Sequence, residues 1–398
     1  MRVLFVAWDG PGLNYLQSLF LPIFEGLRPL GYHFDVLQFR WGPVREQEAA
    51  EAACAAAGVG YRAAAVSRRA GAFGPFATAM AGGRQIRRAA AFFDSELLMP
   101  RSVLPALATL ASRATGGLPA IYDSDGLEVD ERVEFAGLAP TGAAYRILRD
   151  AEAQMIRRSR AVLVRTDVAA QVLHARAGAP VGAERFFVVA NGRDPARFHP
   201  HDPAERARTR AELGISADAP LVAYAGSVGP AYRFADMAAF VRELRRLRPD
   251  ARLLVLSGSP ERATAELAAA GGNLGGATVR RVDPAAVPRY LAAADLGLAY
   301  RRPAFSTRAV SPIKLGEYLL CGLPVLGTAV VGNTAGALQA GVLFDAEAGP
   351  APAAAWFASK VLPARDVIRA RAREEGLTTF SLQRSITDYA RALSAVAS

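Results

Sequence analysis

Cysteine, histidine and lysine are scarce in this chain of 398 residues, and each shortage narrows its chemistry. The two cysteines, Cys54 and Cys321, lie far apart and in no Cys-x-x-Cys or Cys/His grouping, so we expect neither a disulfide framework nor a zinc site. The 4 histidines are scattered, and we interpret them as surface or packing residues. No stretch reaches the roughly 18 to 20 apolar residues that span a bilayer. The short apolar run at residues 3–8 predicts a buried strand and not a signal peptide, and a reducing cytosol fits this use of cysteine.

Lysine is so rare that arginine supplies 45 of the 47 cations, and the net charge is +10. Only Lys314 and Lys360 are lysine. The arginines are spread over most of the predicted helices, and no nucleic-acid recognition motif accompanies them. We therefore expect no nucleic-acid partner and keep a basic nucleic-acid-binding protein only as the weakest alternative. Nucleotide phosphate and anionic lipid are the acidic partners that stay open.

Continuous apolar runs alternate with helical patterns along the chain and predict an α/β fold. The runs are residues 3–8, 34–39, 97–99, 120–122, 161–164, 186–189, 221–224, 252–256, 278–282, 296–299, 325–327 and 341–343. Continuous rather than alternating runs favour parallel sheets covered on both faces. Turn formers and prolines after residue 190 indicate a linker. We predict two Rossmann-like domains, residues 1–195 and 196–378, followed by an amphipathic helix in residues 379–398.

The most specific motif is Ser-Pro-Ile-Lys-Leu-Gly-Glu-Tyr, followed by Gly-Leu-Pro-Val. Ser311 is predicted to cap a helix that begins at Pro312, leaving backbone N–H groups and a positive dipole end for an anion. Lys314 and Glu317 lie three residues apart on one face, and Gly322 is expected to end the helix. Such a helix suits a nucleotide diphosphate, with Lys on phosphate oxygens and Glu accepting from ribose hydroxyls. The alternative is an ordinary capped helix with a surface ion pair.

This motif resembles the donor site of family-four-type retaining glycosyltransferases of the GT-B fold, in the subgroup with Ser-Pro-x-Lys-x-x-Glu-Tyr before a Gly-x-Pro-Val turn. Residues 188–200, with Asn-Gly-Arg-Asp and Phe-His-Pro, are similar to the inter-domain segment of that family, and residues 223–232 to the first strand and loop of its donor domain. The similarity covers nearly the whole chain. It implies two Rossmann-like domains facing across a cleft, with residues 1–195 binding the acceptor, residues 196–378 the donor, and residues 379–398 returning to the first domain.

The resemblance also implies roles for individual residues. Lys314 would bind the donor diphosphate, Glu317 the ribose, and the loop at Gly226 and Gly229 would bring backbone close to the phosphates. The predicted donor-binding set is Gly226, Ser227, Gly229, Arg233, Arg308, Ser311, Pro312, Ile313, Lys314 and Glu317.

Two departures from the family pattern bear on this set. Ala309 stands eight residues before Glu317, where many relatives carry a second acid, and Ser227 and Tyr232 stand where many carry Arg and Lys. We hypothesise that Arg233 or Arg308 supplies the missing second cation.

The acceptor half contributes Asp123 and Asp125, which follow a predicted strand. They resemble a family segment that faces the donor sugar, so either carboxylate would orient an acceptor hydroxyl or stabilise positive charge on the sugar ring. With Lys314 they form the predicted catalytic set. The alternatives are carboxylates that cap a turn and a metal-binding Asp-x-Asp, which we consider weaker because Lys314 and a helix N-terminus already neutralise the diphosphate.

Gly10, Gly12 and Asn14 follow the first predicted strand, and their backbone is expected to reach the sugar or phosphate. The spacing is not Gly-x-Gly-x-x-Gly, which argues against a dinucleotide-binding protein.

Residues 62–93 interleave cations with aromatic side chains, a pattern that suits either an anionic lipid surface or a solvated helix face above core phenylalanines. The residues concerned are Arg68, Arg69, Arg84, Arg87, Arg88, Phe73, Phe76, Phe92 and Phe93.

The sequence therefore predicts a cytoplasmic retaining glycosyltransferase that moves a sugar from a nucleotide diphosphate sugar to a hydroxyl of a glycan or lipid-linked glycan. We expect no metal and no other cofactor, and contact with the inner face of an anionic membrane. The first alternative is a sugar-nucleotide epimerase or hydrolase of the same fold.

Overall fold

The computed structural model describes residues 1–12, 14–68, 73–111, 117–178, 180–271 and 276–397. The chain divides into two compact units, one of Met1–Ala190 with Ser385–Ser398 and one of Asn191–Arg384. The predicted bounds, 195 and 379, differ from these by a few residues. The reason is backbone pairing inside the second unit, where the Arg193 N–H donates to the Phe380 carbonyl (2.8 Å) and the Leu382 N–H to the Arg193 carbonyl (2.9 Å).

The first unit contains a parallel sheet. Its strands are β1 (Arg2–Asp9), β2 (His33–Arg40), β3 (Gly60–Ala65), β4 (Leu97–Pro100), β5 (Ile121–Asp123), β6 (Ala161–Val164) and β7 (Phe186–Val188). They pair in the orders β3-β2-β1-β4 and β5-β6-β7. Parallel bridges from Leu98 to Ala120 and from Arg101 to Asp123 join β4 to β5. The carboxyl ends of these strands therefore share one edge, which is where parallel α/β sheets bind ligands.

Helices connect these strands. They are α1 (Leu21–Leu27), α2 (Val44–Ala56), α3 (Phe73–Ala81), α4 (Gly83–Phe92), α5 (Val103–Ala111), α6 (Glu128–Phe135), α7 (Ala143–Arg158) and α8 (Asp167–Ala177). Between β1 and β2 the chain forms a π-helical turn at Leu16–Phe20, α1 and a 3-10 turn at Arg28–Leu30.

The second unit repeats the architecture. Its elements are α9 (Pro203–Glu212), β8 (Leu221–Ala225), α10 (Phe234–Leu247), β9 (Arg252–Leu256), α11 (Pro260–Ala269), β10 (Ala277–Arg280), α12 (Val287–Ala293), β11 (Leu296–Ala299), α13 (Ile313–Leu320), β12 (Val325–Gly327), α14 (Ala335–Gln339), β13 (Leu343–Asp345), α15 (Pro350–Trp356) and α16 (Arg365–Phe380). The parallel strand order β10-β9-β8-β11-β12-β13 is that of a Rossmann sheet. Leu221 and Ala223 lie in one buried cluster, and Val222 and Tyr224 in another. This two-sided burial explains the continuous apolar runs.

Helices α13 and α16 pack closely because glycines line their contact. A Cβ on Gly376 would lie 2.7 Å from the Leu320 backbone nitrogen, and one on Gly316 would lie 2.8 Å from Cβ of Phe380. Arg373 Nη1 also donates to the Leu320 carbonyl (2.6 Å). Gly322, with φ of +73°, ends α13 as predicted. The helix that carries the predicted donor motif is thus held rigidly from its far end.

The last helix, α17 (Leu382–Ala397), packs mainly with the first unit. Its Tyr389 is fully buried and hydrogen-bonded to Arg165, which directly follows β6. Within the described residues, no helix is long and apolar enough to cross a membrane.

Candidate donor site and charged strand edge

The start of α13 differs from the prediction. The helix begins at Ile313 with Pro312 at its N-cap, and no side chain caps it. The expectation that Ser311 caps the helix is wrong, because Ser311 lies one residue before the N-cap and its buried Oγ has no hydrogen-bond partner among the described residues. The first turn of α13 keeps the positive end of the helix dipole without a capping side chain.

Lys314 lies against two tyrosines and the glycine loop. Its Nζ donates to Tyr224 Oη (3.1 Å) and lies 4.1 Å and 4.5 Å from the ring centroids of Tyr224 and Tyr232. Desolvation, and then the nearby Arg301 charge, lower the pKa of Lys314 to about 7. An incoming anion would favour the charged ammonium, so this lysine is suited to an anionic ligand.

The glycine loop after β8 lies directly beside Lys314. Gly226 has a φ of +145°, a backbone conformation that favours glycine, and a Cβ built on it would lie 2.9 Å from Lys314 Nζ. Tyr224 Oη donates to the Ser227 carbonyl (2.5 Å) and thereby fixes the loop. A Cβ on Gly229 would meet nothing closer than 3.9 Å, and the Gly229 carbonyl accepts from the Tyr232 N–H (3.0 Å). The structure brings together Gly226, Ser227 and Lys314 from the predicted set.

Glu317 forms an ion pair that the spacing of the motif did not predict. Its Oε1 lies 2.9 Å from Arg193 Nη2, so Glu317 pairs with Arg193 rather than with Lys314. In the same turn, Asn191 Nδ2 donates to the Ser311 carbonyl (2.9 Å). These contacts connect the Asn-Gly-Arg-Asp segment to the helix motif. The signal in the sequence was the presence of both motifs, but spacing alone could not pair them.

Arg233 and Arg308 were predicted to supply a second cation, and in the described part of the chain neither contacts Lys314. Arg233 pairs with Asp236 (Nε to Oδ2, 2.6 Å) and with Glu347, so its charge is already neutralised. Arg308 is exposed on the 3-10 turn Ser306–Ala309. A small cavity is instead lined by Arg301 together with Lys314.

Charged side chains alternate along the carboxyl edge of the first sheet. The fully buried Asp123 accepts from Arg101 Nη1 (3.0 Å) and Arg165 Nη2 (2.5 Å). Asp125 pairs with Arg101 Nη2 (2.6 Å), and its side chain is 36% exposed. Burial raises the pKa of Asp9, whose Oδ2 accepts from Gln38 (2.6 Å). Asp125 is therefore the predicted catalytic carboxylate that solvent can reach, whereas Asp123 fixes the two arginines.

The loop after β1 is held by residues that follow β2. A Cβ on Gly10 would lie 2.8 Å from the Trp41 ring. The Gly12 N–H, at a φ of +76°, points to the Glu46 carboxylate (3.2 Å to Oε2). Asn14 is exposed, and its carbonyl accepts from the Ser18 N–H (2.9 Å). The Gly12 amide is thus already occupied by a carboxylate.

The predicted cation-aromatic stretch lies partly on α4. Arg84, Arg87 and Arg88 are exposed there, and Phe92 is 64% exposed under the Arg62 guanidinium (4.5 Å). Arg68 stacks on Trp41 (5.1 Å), Phe76 packs on a buried cluster, and Arg69 lies outside the described residues.

Comparisons with known proteins agree with the fold and the motif. Residues 219–358 match the family model of glycosyl transferases group 1. No curated protein is similar enough in sequence to count as a relative. Among solved structures, Anabaena HepE in complex with UDP-glucose has 16% identity and a TM-score of 0.69 over 99% of this chain and 100% of its own. WaaG, a glycosyltransferase involved in lipopolysaccharide biosynthesis, has 19% identity and a TM-score of 0.68 over 98% of each chain. UDP-GlcNAc 2-epimerase from Neisseria meningitidis has 11% identity and a TM-score of 0.62 over 99% of each chain.

These likenesses show the GT-B fold, and the family match lies in the second unit, around Lys314 and the glycine loop. The protein is a glycosyltransferase of the GT-B fold. Residues 219–358 match the model of glycosyl transferases group 1, and the predicted fold class and enzyme class are confirmed.

Proposed function

We propose that this enzyme transfers a sugar from a nucleotide diphosphate sugar to a hydroxyl of a glycan or lipid-linked glycan, with retention at the anomeric carbon. The observation that carries the proposal is the placement of Lys314 Nζ beside the Gly226 backbone, at the uncapped start of α13. The UDP-glucose complex of HepE supports the donor class, and the role of WaaG in lipopolysaccharide biosynthesis supports the acceptor class.

The charge that needs stabilising is that of the departing nucleotide. As the bond from the sugar C1 to the diphosphate oxygen breaks, negative charge grows on the outer phosphate. Lys314, the first turn of α13 and the glycine loop supply a cation and N–H donors fixed in advance. The acceptor oxygen bonds to C1 on the same face, and its proton passes to the leaving phosphate. No metal or other cofactor enters this scheme.

Asp125 is the carboxylate that we assign to the acceptor. It is more accessible than Asp123 and is held by Arg101, so it suits a hydrogen bond from an acceptor hydroxyl. Asp123 becomes a positioning residue, because both of its oxygens bind arginines in the core. Glu317 keeps its proposed role toward ribose hydroxyls, oriented by Arg193.

A pair of lysine variants tests the donor site. Screening nucleotide sugars by thermal shift identifies the donor, and transfer to a glycan acceptor is then measured. We expect Lys314→Met to lower kcat/KM by about 100-fold or more, since a charged donor to the leaving group is lost. Lys360→Met, at the only other lysine and exposed, is the matched control and should keep wild-type turnover.

Glu317→Gln should raise KM for the donor more than it lowers kcat. Wild-type turnover in both Lys314→Met and Glu317→Gln would overturn the site.

An epimerase is the competing function, favoured by the fold shared with UDP-GlcNAc 2-epimerase. Incubating the enzyme with donor alone separates the two. Epimerised sugar nucleotide or free sugar, formed rapidly without acceptor, contradicts glycosyl transfer. Product that forms only with acceptor, equally with and without a chelator, supports our scheme.

We also propose contact with an anionic membrane, which a lipid-linked acceptor requires. The exposed Arg84, Arg87 and Arg88 beside the exposed Phe92 support it. In this scheme the enzyme works at the inner face of the cell membrane.

A further inference from the structure

The strands β8 and β11 stop pairing at the point where the strand order of the second sheet reverses. The chain runs from β8 out to β10 on one side and continues from β11 to β13 on the other, so the crevice between β8 and β11 is the topological switch point. The parallel ladder between these two strands ends at the pair of Gly297 with Ala223. In the next rung of this register, the Ala225 N–H would donate directly to the Leu298 carbonyl.

The Tyr318 hydroxyl of α13 occupies the place of that rung. Its oxygen accepts from the Ala225 N–H (2.8 Å) and donates to the Leu298 carbonyl (3.2 Å). The ring crosses β11 at Gly297, where a Cβ would lie 2.6 Å from Tyr318 Cγ, so the strand has a glycine at this close approach. The side chain is fully buried, and burial raises the pKa of Tyr318 above its usual value, so the hydroxyl keeps the proton that it donates.

This bridge fixes the start of the glycine loop from one side. Two hydrogen bonds in series replace a single N–H to carbonyl bond of about 2.9 Å, so β8 and β11 are held further apart than in a continuous ladder. Ala225 directly precedes Gly226, whose own N–H donates to the Leu256 carbonyl of β9 (2.9 Å). The loop is therefore held between β9 and the Tyr318 hydroxyl.

We propose that Tyr318 is a positioning residue whose hydroxyl separates β8 from β11 and thereby places the glycine loop for the donor. This inference deepens the proposed function and rests on it. Tyr318 is fully buried and acts through the Ala225 backbone, without touching the ligand. Phenylalanine would fill nearly the same volume without the hydroxyl. The Ala225 N–H would then lose its partner or close onto β11, and in both cases Gly226 moves.

Binding measurements on the full chain, with a matched tyrosine variant, test the assignment. The tightest of UDP, ADP, GDP and dTDP and its free nucleoside are titrated into wild type, Tyr318→Phe and Tyr290→Phe. Tyr290 is the control because it belongs to the same buried cluster and its hydroxyl donates to Glu212 (2.7 Å). We expect both variants to lose similar thermal stability. Only Tyr318→Phe should weaken the nucleoside diphosphate, by about fivefold or more, with the nucleoside unchanged.

Kinetics and hydrogen exchange give two further readouts. In Tyr318→Phe, KM for the donor should rise by the same factor while KM for the acceptor stays at the wild-type value. Without any ligand, the amides of residues 221–228 should exchange faster in Tyr318→Phe than in wild type or Tyr290→Phe, because the Ala225 N–H has lost its acceptor.

Each contrary outcome has a distinct meaning. Equal weakening of the nucleoside diphosphate by Tyr318→Phe and Tyr290→Phe reflects a general loss of stability and overturns the inference. If Lys314→Met abolishes binding and Tyr318→Phe binds the diphosphate as tightly as wild type, the inference alone fails. If no nucleoside diphosphate binds wild type, the proposed function fails with it.

Discussion

Lys314 makes donor binding depend on pH. The charges of Arg301 and Glu317 act on it, and its ammonium group lies against the rings of Tyr224 and Tyr232. Its pKa of about 7 in the free protein must rise when a diphosphate is bound, because the anion favours the ammonium. Binding then takes up a proton above neutral pH. Donor affinity should be flat below about pH 7 and fall by up to about tenfold per pH unit above it.

Calorimetric titration of a nucleotide sugar between pH 6 and pH 9 measures this dependence, since its diphosphate does not titrate there. Lys314→Arg keeps a charged group throughout this range and is the control, with a flat profile expected. A wild-type profile as flat as that of Lys314→Arg would contradict the role of Lys314.

Single residues show what spacing can and cannot predict. Lys314 and Gly226 were identified from local motifs, and the structure places them in contact. The prediction that Ser311 caps α13 was wrong by one residue. Pro312 occupies the N-cap, and proline has no side-chain oxygen to accept a hydrogen bond. Arg301 was missed, since it lies in a Tyr-Arg-Arg-Pro segment without motif spacing and reaches Lys314 only through the tertiary fold.

At the scale of elements, the strands could be predicted because both faces of each sheet are buried and the strands are therefore continuous apolar runs. Four of the predicted runs have the same first and last residues as the strands β6, β9, β11 and β12; these runs are 161–164, 252–256, 296–299 and 325–327. Strand β3 was missed because it is partly exposed at the sheet edge and mixes Ala with Arg. Helices α15 and α16 were missed because residues 350–380 contain Pro, Ala and charged residues without a strong apolar period.

The close packing of α13 against α16 gives a prediction for stability. Gly376→Ala should lower the free energy of unfolding by about 1–3 kcal/mol, because the new methyl group meets the Leu320 backbone nitrogen at 2.7 Å. This clash outweighs the roughly 1 kcal/mol that alanine gains over glycine inside a helix. Urea unfolding measures the change. Gly258→Ala, where an added Cβ meets nothing within 4 Å, is the control and should be nearly neutral. An alanine variant at position 376 as stable as wild type would contradict the packing argument.

At the scale of the whole molecule, much of the arginine is structural. Arg206, Arg210 and Arg365 surround the buried Asp295, and Arg369 donates to the Ala292 and Ala294 carbonyls. Arg210 is only 1% exposed. The net charge of +10 therefore overstates the basic surface, and a partner must be inferred from where exposed arginines cluster. Helix α4 is such a cluster.

The α4 cluster predicts binding to anionic vesicles that depends on position and not on net charge. Wild type should co-sediment with phosphatidylglycerol-containing vesicles and less with pure phosphatidylcholine. The triple variant Arg84→Gln, Arg87→Gln, Arg88→Gln should bind more than about tenfold more weakly, since each cation near the surface contributes about 1 kcal/mol. The control removes the same charge from exposed positions on other helices, Arg146→Gln, Arg208→Gln and Arg371→Gln. Equal loss in both triple variants, or no binding by wild type, contradicts a membrane contact through α4.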